Sequence, residues 1–525
     1  MSRTIESDHT PDDDADVEST SNPNAVELAA LPIAVASIAL DPGSPLPIHE
    51  QICQAIRTAV WAGELPPGTL LPTSREFSQH LHVARNTVGL AYARLVAEGH
   101  LVSNRRRGTR VASEFPARIS FVESETRATP SAPNVIPIGF HARHALAMQV
   151  ARLPDGAPFA LHASDPILYP RTKLGRRLAD RFLGAPRPEQ FCVAPAGEPS
   201  RFQKSVTNYI RQSRGVVCEP EQVIPVSGLE SALDLTIRIL IDPGHTVQIE
   251  DPGMDVVSAA FLSAGARVEP MACDAHGANP QRASGPPPRL MFVSPSVAFP
   301  FGGQMPESRR QDVLEAARAN NAIVFENDSY CELRYSGARL RAIQGEDTEN
   351  RVIHYGSFFE TLSSAIGGGF LVVPAPMVDA FVEVSRRLRH QPAAQIQEGL
   401  AGFIDEHEYA VHARNVRTVY AKRLEVLKQA CSSFLPEFSV SEPLGGLHLV
   451  ISLDERFDES ALCTQAVAQG LPIAPLSLFY RRPGQKKGIV IGFGAVPERL
   501  IHPIVKQLAS LLARGGDFER VRASA

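Results

Sequence analysis

Arginine and short polar side chains recur at two places in the first quarter of the chain, in an order suited to an anionic polymer. One is Ala84-Arg85-Asn86-Thr87, with Arg75 upstream; the other is Arg105-Arg106-Arg107-Gly108-Thr109. A guanidinium can donate two hydrogen bonds to one edge of guanine, and a carboxamide can pair with adenine in the same way. A threonine hydroxyl and the free N–H groups of a helix start suit phosphate oxygens. Three cations beside a flexible glycine suit contact with the phosphate backbone or the minor groove. The set implies double-stranded DNA, provided the backbone brings Arg75, Arg85, Asn86, Thr87 and residues 105–109 to one face.

The surrounding pattern supplies that backbone. Ile48, Ile52, Ile56 and Val60 recur every four residues, the period of an amphipathic helix, and Gly63 and Pro66-Pro67-Gly68 stop it. Thr73-Ser74-Arg75-Glu76 is a capping box that opens a short helix through His80. After a turn at His82-Val83, a third helix is predicted from about Ala84 to Glu98. Leu101-Val102 and Arg110-Val111 then flank a β-hairpin wing. Charge agrees locally: residues 1–45 hold nine carboxylates and one arginine, whereas residues 46–113 hold eight arginines and four glutamates. The chain's net charge of −5 therefore does not argue against nucleic acid.

Residues 46–113 resemble a GntR-type winged helix-turn-helix. The resemblance rests on Pro45-Leu46, Gln51-Ile52, Gly63-x-Leu65-x-Pro67-Gly68, Leu71-Pro72-x-Ser74-Arg75-Glu76, Arg85-x-Thr87-Val88, Ala91-Tyr92 and Gly108-Thr109. Ala84 departs from the commoner Ser or Thr, and Arg106 stands where the wing often has glycine. Residues 1–45 read as a disordered acidic tail with room for one short helix, and residues 114–158 as a Pro-rich linker.

Beyond the linker, strand-length apolar runs (223–226, 246–249, 290–293, 322–325) alternate with helical stretches such as 230–241 and 307–319. That alternation predicts an α/β fold with a largely parallel sheet. A long helix over 410–431 then precedes a smaller α+β segment. Residues 159–513 resemble a fold-type-I aminotransferase in the order and spacing of several motifs. These include Val226-Ser227-Gly228-Leu229-Glu230-Ser231, Glu250-Asp251-Pro252-Gly253, Phe299-Pro300-Phe301-Gly302, Tyr355-Gly356-Ser357-Phe358-Phe359-Glu360 and Gly445-Gly446-Leu447-His448. Together the two halves resemble a MocR-type regulator.

The resemblance implies a pyridoxal phosphate pocket outlined by Gly228, Ser231, Met254, Asn327, Ser329, Ser357, Glu360 and Gly367. It also implies that the pocket has lost its chemistry. Glu360 holds the position of the Schiff-base lysine, and a carboxylate cannot form an imine. Gly367 stands for the phosphate-binding arginine, Asn327 for the aspartate that keeps the pyridinium protonated, Ser329 for a tyrosine and Met254 for an aromatic. A register error cannot restore the amine, because no lysine lies between residues 205 and 421. No catalytic residue, no metal and no bound cofactor are expected, and covalent pyridoxal phosphate is excluded on this reading. Glu360 would be either protonated or facing solvent.

Bulk composition narrows the class further. A chain of 525 residues needs more than one core, and 44% apolar with 21% charged residues is ordinary for globular protein. No long uncharged apolar run suggests a membrane span. Seven scattered cysteines without a C-x-x-C pair fit a reducing cytoplasm rather than disulfides or zinc. What the MocR resemblance implies is a nucleoid-associated transcriptional regulator, a homodimer through its aminotransferase-like part, with a small-molecule effector as a further partner. An aminotransferase with a DNA-binding appendage and a DNA scaffold are the rival readings.

Overall fold

The computed structural model describes residues 32–104, 107–113, 139, 159–184, 198–282, 285–337, 340–362, 366–482 and 486–522. It divides into two compact units, residues 1–135 and 136–525. The expected tail over 1–31, nearly all of the expected linker, and Arg105 and Arg106 lie outside the described residues.

In the smaller unit the four-residue apolar period becomes the helix Ile48–Trp61, whose inner face buries Ile52, Cys53, Ile56, Ala59 and Val60. The helix Ser74–His80 begins with the expected reciprocal cap: Glu76 N–H donates to Thr73 Oγ1 at 3.3 Å, and Thr73 N–H donates to Glu76 Oε2 at 2.8 Å. His82 takes the left-handed conformation (φ 53°) that turns the chain into the helix Arg85–Ala97. That helix buries Val88, Ala91, Tyr92 and Leu95 against the first two, while the Tyr92 hydroxyl donates to the Pro72 carbonyl at 2.9 Å. Each fully buried Leu, Ile or Phe here contributes about 1.5–3 kcal/mol. Strands β1 (Leu101–Asn104) and β2 (Gly108–Val111) pair antiparallel as the wing, Leu101 opposite Val111 and Asn104 opposite Gly108.

One boundary needs correction. Residues 32–45 do not behave as a disordered tail: a short helix Ile33–Ala36 inserts Val35, fully buried, into the winged-helix core. Ala34, Ile38 and Leu40 pack against the same core. Gln51 fastens the segment, accepting from Asp41 N–H at 2.9 Å and donating to the carbonyls of Asp41 and Leu46. Apolar residues at the end of an otherwise acidic stretch thus find a hydrophobic surface, with their backbone partly satisfied by one side chain.

The larger unit is built on an eight-stranded sheet: β3 (Val223–Val226), β4 (Thr246–Asp251), β5 (Arg267–Asp274), β6 (Gly277–Ala278), β7 (Leu290–Val293), β8 (Ile323–Asn327), β9 (Val352–Ser357) and β10 (Gly369–Val372), in spatial order β3-β10-β9-β8-β7-β4-β5-β6. Pairs from β9 through β5 are parallel, while β10 and the short β6 run against their neighbours. Alternate residues enter cores on opposite faces: Leu290 and Phe292 on one, Met291 and Val293 on the other. Helices cover both faces, which explains the near-continuous apolar runs of these strands. Reading apolar runs alone misses β5, interrupted by Glu269 and Pro270, and β10, which begins on the last of three glycines. The helix Glu408–Phe434 leads to an antiparallel sheet of β11 (His448–Leu453), β13 (Lys487–Gly492) and β12 (Ala474–Pro475). Helices Glu459–Ala468 and Glu498–Arg522 pack on that sheet around Ile451, Ile489, Leu462 and Ile501.

Candidate DNA-reading face and ligand pocket

The arginines of the smaller unit fall into two groups. Arg57 and Arg94 are neutralised by Glu50 and Glu98: Arg57 lies 3.1 Å from Glu50 and 3.2 Å from Glu98, and Arg94 pairs with Glu50 and lies 2.9 Å from Glu98. Arg75, Arg85, Arg107 and Arg110 are exposed instead. Arg85 Nε lies 3.4 Å from Ser74 Oγ, so the starts of the two helices of the helix-turn-helix meet at this contact. Asn86 is exposed and Thr87 half-buried in the first turn of Arg85–Ala97. Ala84 gives that helix no side-chain cap; only its backbone carbonyl serves the first turn, accepting the Thr87 N–H at 2.9 Å. Arg107 and Gly108 lie exposed at the wing turn, and the Thr109 hydroxyl reaches Ser103 Oγ at 3.4 Å. Gly108 has φ +77°, a conformation that favours glycine, and a Cβ there would come within 2.9 Å of the end of the exposed Leu70 side chain. Arg110, absent from the sequence reading of the site, donates to the Gly68 carbonyl at 2.9 Å and ties the wing to the preceding loop.

In the larger unit the pocket residues come from the carboxyl ends of parallel strands, the usual place for a ligand crevice in such sheets. Gly228 follows β3, Met254 follows β4, Asn327 ends β8, and Ser357 ends β9 with Glu360 just beyond. Asn327 Nδ2 donates to Ser294 Oγ at 3.3 Å and lies 3.9 Å from the Met254 sulfur. Its Oδ1 accepts the Ser329 N–H at 3.3 Å. Ser231 lies half-buried in the first turn of the helix Leu229–Leu240, and Gly367 (φ +53°) packs beside the Ser227 carbonyl.

Glu360 is 8% exposed, so the solvent-facing alternative does not hold. Burial pushes its carboxyl up to about 7, opposed by the hydroxyls of Ser357 and Ser329, while Glu230 adds a like charge. Glu360 Oε2 is buried and has no hydrogen-bond partner. Glu230 sits exposed at the start of its helix, with Oε2 3.5 Å from where a Gly228 Cβ would lie.

Sequence reasoning missed the ion pair beneath this pocket. Arg214 donates to both Asp328 oxygens, at 2.6 and 3.2 Å, and to Ser296 Oγ at 3.0 Å. Burial alone would push Asp328 up; the Arg214 guanidinium reverses this and holds the carboxyl below its usual range. Also missed were Glu250, which burial pushes up to about 7 against the Ser294 N–H, and a buried aromatic group of His162, Phe299, Tyr330 and His448. Signals lay close by: Asp328 adjoins Asn327, and Glu250, Phe299 and His448 stand inside the motifs that carry the resemblance, while His162 has no local pattern. Among the described residues there is no His/Cys/Asp/Glu group able to hold a metal, and no helix long and apolar enough to cross a membrane.

Comparison with known proteins accounts for both units. The model for bacterial regulatory proteins of the gntR family matches residues 48–111, and that for aminotransferase class I and II matches residues 183–484. The probable rhizopine catabolism regulatory protein MocR of Rhizobium meliloti is 32% identical over 475 residues, covering 90% of this chain and 95% of the relative. The chain belongs to the MocR subfamily of GntR-type transcriptional regulators. Another relative, the pyridoxine biosynthesis transcriptional regulator PdxR of Corynebacterium glutamicum, is 27% identical over 496 residues, 93% of this chain and all of the relative. The crystal structure of an archaeal alanine:glyoxylate aminotransferase superposes with a TM-score of 0.63 at 22% identity, over 72% of this MocR-type chain and 96% of the other. That likeness concerns the fold.

Proposed function

We propose that this MocR-type regulator reads a specific DNA sequence through Arg85 and Asn86, and that its larger unit joins two copies and senses an effector without catalysis. One observation carries the reading: Arg85 stands exposed at the start of the second helix of the helix-turn-helix, against Ser74, while Arg57 and Arg94 are occupied by glutamates. A helix start in the major groove would set Arg85 against a guanine edge, with Arg75 and Arg107 on flanking phosphates. Two wings in one dimer would read paired half-sites. The test measures affinity of the full-length protein for its own promoter region and for random DNA at physiological salt. Selectivity for the promoter is expected, and equal affinities would refute sequence-specific reading.

The larger unit is proposed to be a non-enzyme. Pyridoxal phosphate is the group its fold family implies, and these residues do not fit it. A buried carboxyl stands where the group needs an amine, and Glu230 brings a second carboxylate to the helix start that would face the phosphate. Asn327 spends its N–H on Ser294 and is neutral, so it offers the pyridinium no counter-charge. Lys173, Lys422, Lys428 and Lys487 pair with Glu408, Glu498, Glu442 and Glu455, and Lys204, Lys486 and Lys506 are exposed. Borohydride reduction after incubation with pyridoxal phosphate, followed by mass spectrometry, should show no adduct within the pocket.

A further inference from the structure

Three features of the pocket point to a ligand chemistry opposite to that of a phosphate or an aldehyde. First, Glu360 Oε2 is buried and without a partner. A buried acceptor left unsatisfied costs about 1–3 kcal/mol, more when charged, so a donor is missing from this place. Second, among the described residues no cation is a leading influence on it. The groups acting most strongly on Glu360 are Ser357, Glu230 and Ser329, and the other ionisable groups that feel its charge are Tyr330, Cys331, Tyr355 and Tyr409. Arg214 is committed to Asp328, Ser296 and the Leu340 carbonyl. Third, two hydroxyls lie beside the carboxyl: Ser357, which receives the Phe359 N–H at 3.0 Å and also meets the Tyr355 hydroxyl, and Ser329, and a hydroxyl can donate to the carboxylate while its oxygen accepts from a ligand.

We propose that the pocket binds a small organic cation through its primary ammonium group, with Glu360 as counter-ion, Ser329 and Ser357 as further acceptors, and Glu230 at the solvent rim. An ammonium carries three N–H donors, matching a carboxylate and two hydroxyls. Glu230, exposed, adds attraction at the entrance. The hydrocarbon part has an apolar neighbour in Met254, which touches Asn327 and also lines a cavity of about 260 Å³ with Phe479 and Tyr480, where Glu250 and Asp255 offset the one lining cation, Arg481. The assignment rests on the sensing role proposed above and names the class of effector.

The experiment is calorimetric titration of the full-length protein with n-butylammonium and putrescine, alongside butanol, butyrate and pyridoxal phosphate. The two amines should bind and the other three should not. Because burial holds the Glu360 carboxyl near 7, pairing with a cation should release about half a proton per site at pH 7, read from titrations in buffers of different ionisation enthalpy. Amine affinity should rise with pH through that range. Glu360→Gln should weaken amine binding about tenfold or more and abolish the proton release, and Ser329→Ala should weaken it several-fold. Promoter binding by both variants checks that they fold. Failure of both amines to bind, or binding unchanged in Glu360→Gln with no proton released, overturns the assignment. Binding of butyrate or pyridoxal phosphate in place of the amines overturns it too, while leaving effector sensing standing.

Discussion

The two units use arginine in opposite ways. In the winged helix, Arg75, Arg85 and Arg107 stay in water, where their donors remain available to a partner. In the larger unit, Arg214, Arg310 and Arg423 are buried and occupied: Arg310, fully inaccessible, donates to the carbonyls of Met305, Pro295 and Arg341, and Arg423 pairs with Asp165. An exposed guanidinium costs the fold little and can serve recognition. A buried one must be satisfied internally, and then it holds elements together. Glu360 breaks the larger unit's rule, since among the described residues its buried Oε2 has no hydrogen-bond partner, whereas the equally buried Glu250 receives the Ser294 N–H, and that exception marks the pocket.

The sharpest way to break this contrast is Arg214→Ala, which strands Asp328 in the interior. Unfolding of the larger unit in urea should show a loss of about 3–5 kcal/mol; a loss below about 1 kcal/mol would mean the pair is not structural. Next in size is the pH dependence from Glu360. Its carboxyl is raised from 4.5 to about 7 in the fold, so the stability it allows is complete below the unfolded value and lost as pH rises through the folded one. Glu360→Gln should therefore gain about 2–3 kcal/mol over the parent at pH 8 and much less at pH 5, by urea unfolding at both. Glu250 has a raised carboxyl of the same kind and sets a background common to both proteins. On the recognition side, Arg85→Ala should cost about 1–3 kcal/mol of promoter affinity and relax base preference at one position, whereas Arg107→Ala should weaken all sequences alike and lower the salt slope by about one. Fluorescence anisotropy against a series of operator variants separates the two. The smallest effect is Thr73→Ala: losing the reciprocal cap should lower the thermal stability of the winged helix by about 1 kcal/mol, with promoter contacts otherwise kept.

Much of the smaller unit was legible because its signals are local. A four-residue apolar period, a capping box and a glycine at the wing turn act within a few residues, and each produced the expected element. The segment 32–45 was misread for the same reason: nothing within it reveals that Val35 has a core to enter. In the larger unit, runs buried on both faces gave β3, β4, β7 and β8, while a strand interrupted by Glu269 and Pro270 did not declare itself.

For the pocket, residue types alone removed the amine: Glu360 is a carboxyl in any fold, and the lysines lie elsewhere in the chain. Whether that carboxyl meets water, a cation or neither depends on Ser329, Tyr330 and Tyr409, which are distant in sequence and are brought to it only by the packing of β8, β9 and the helix Glu408–Phe434. Chemical identity is a property of one position, but solvation and charge state belong to its surroundings, and those are assembled by the tertiary structure.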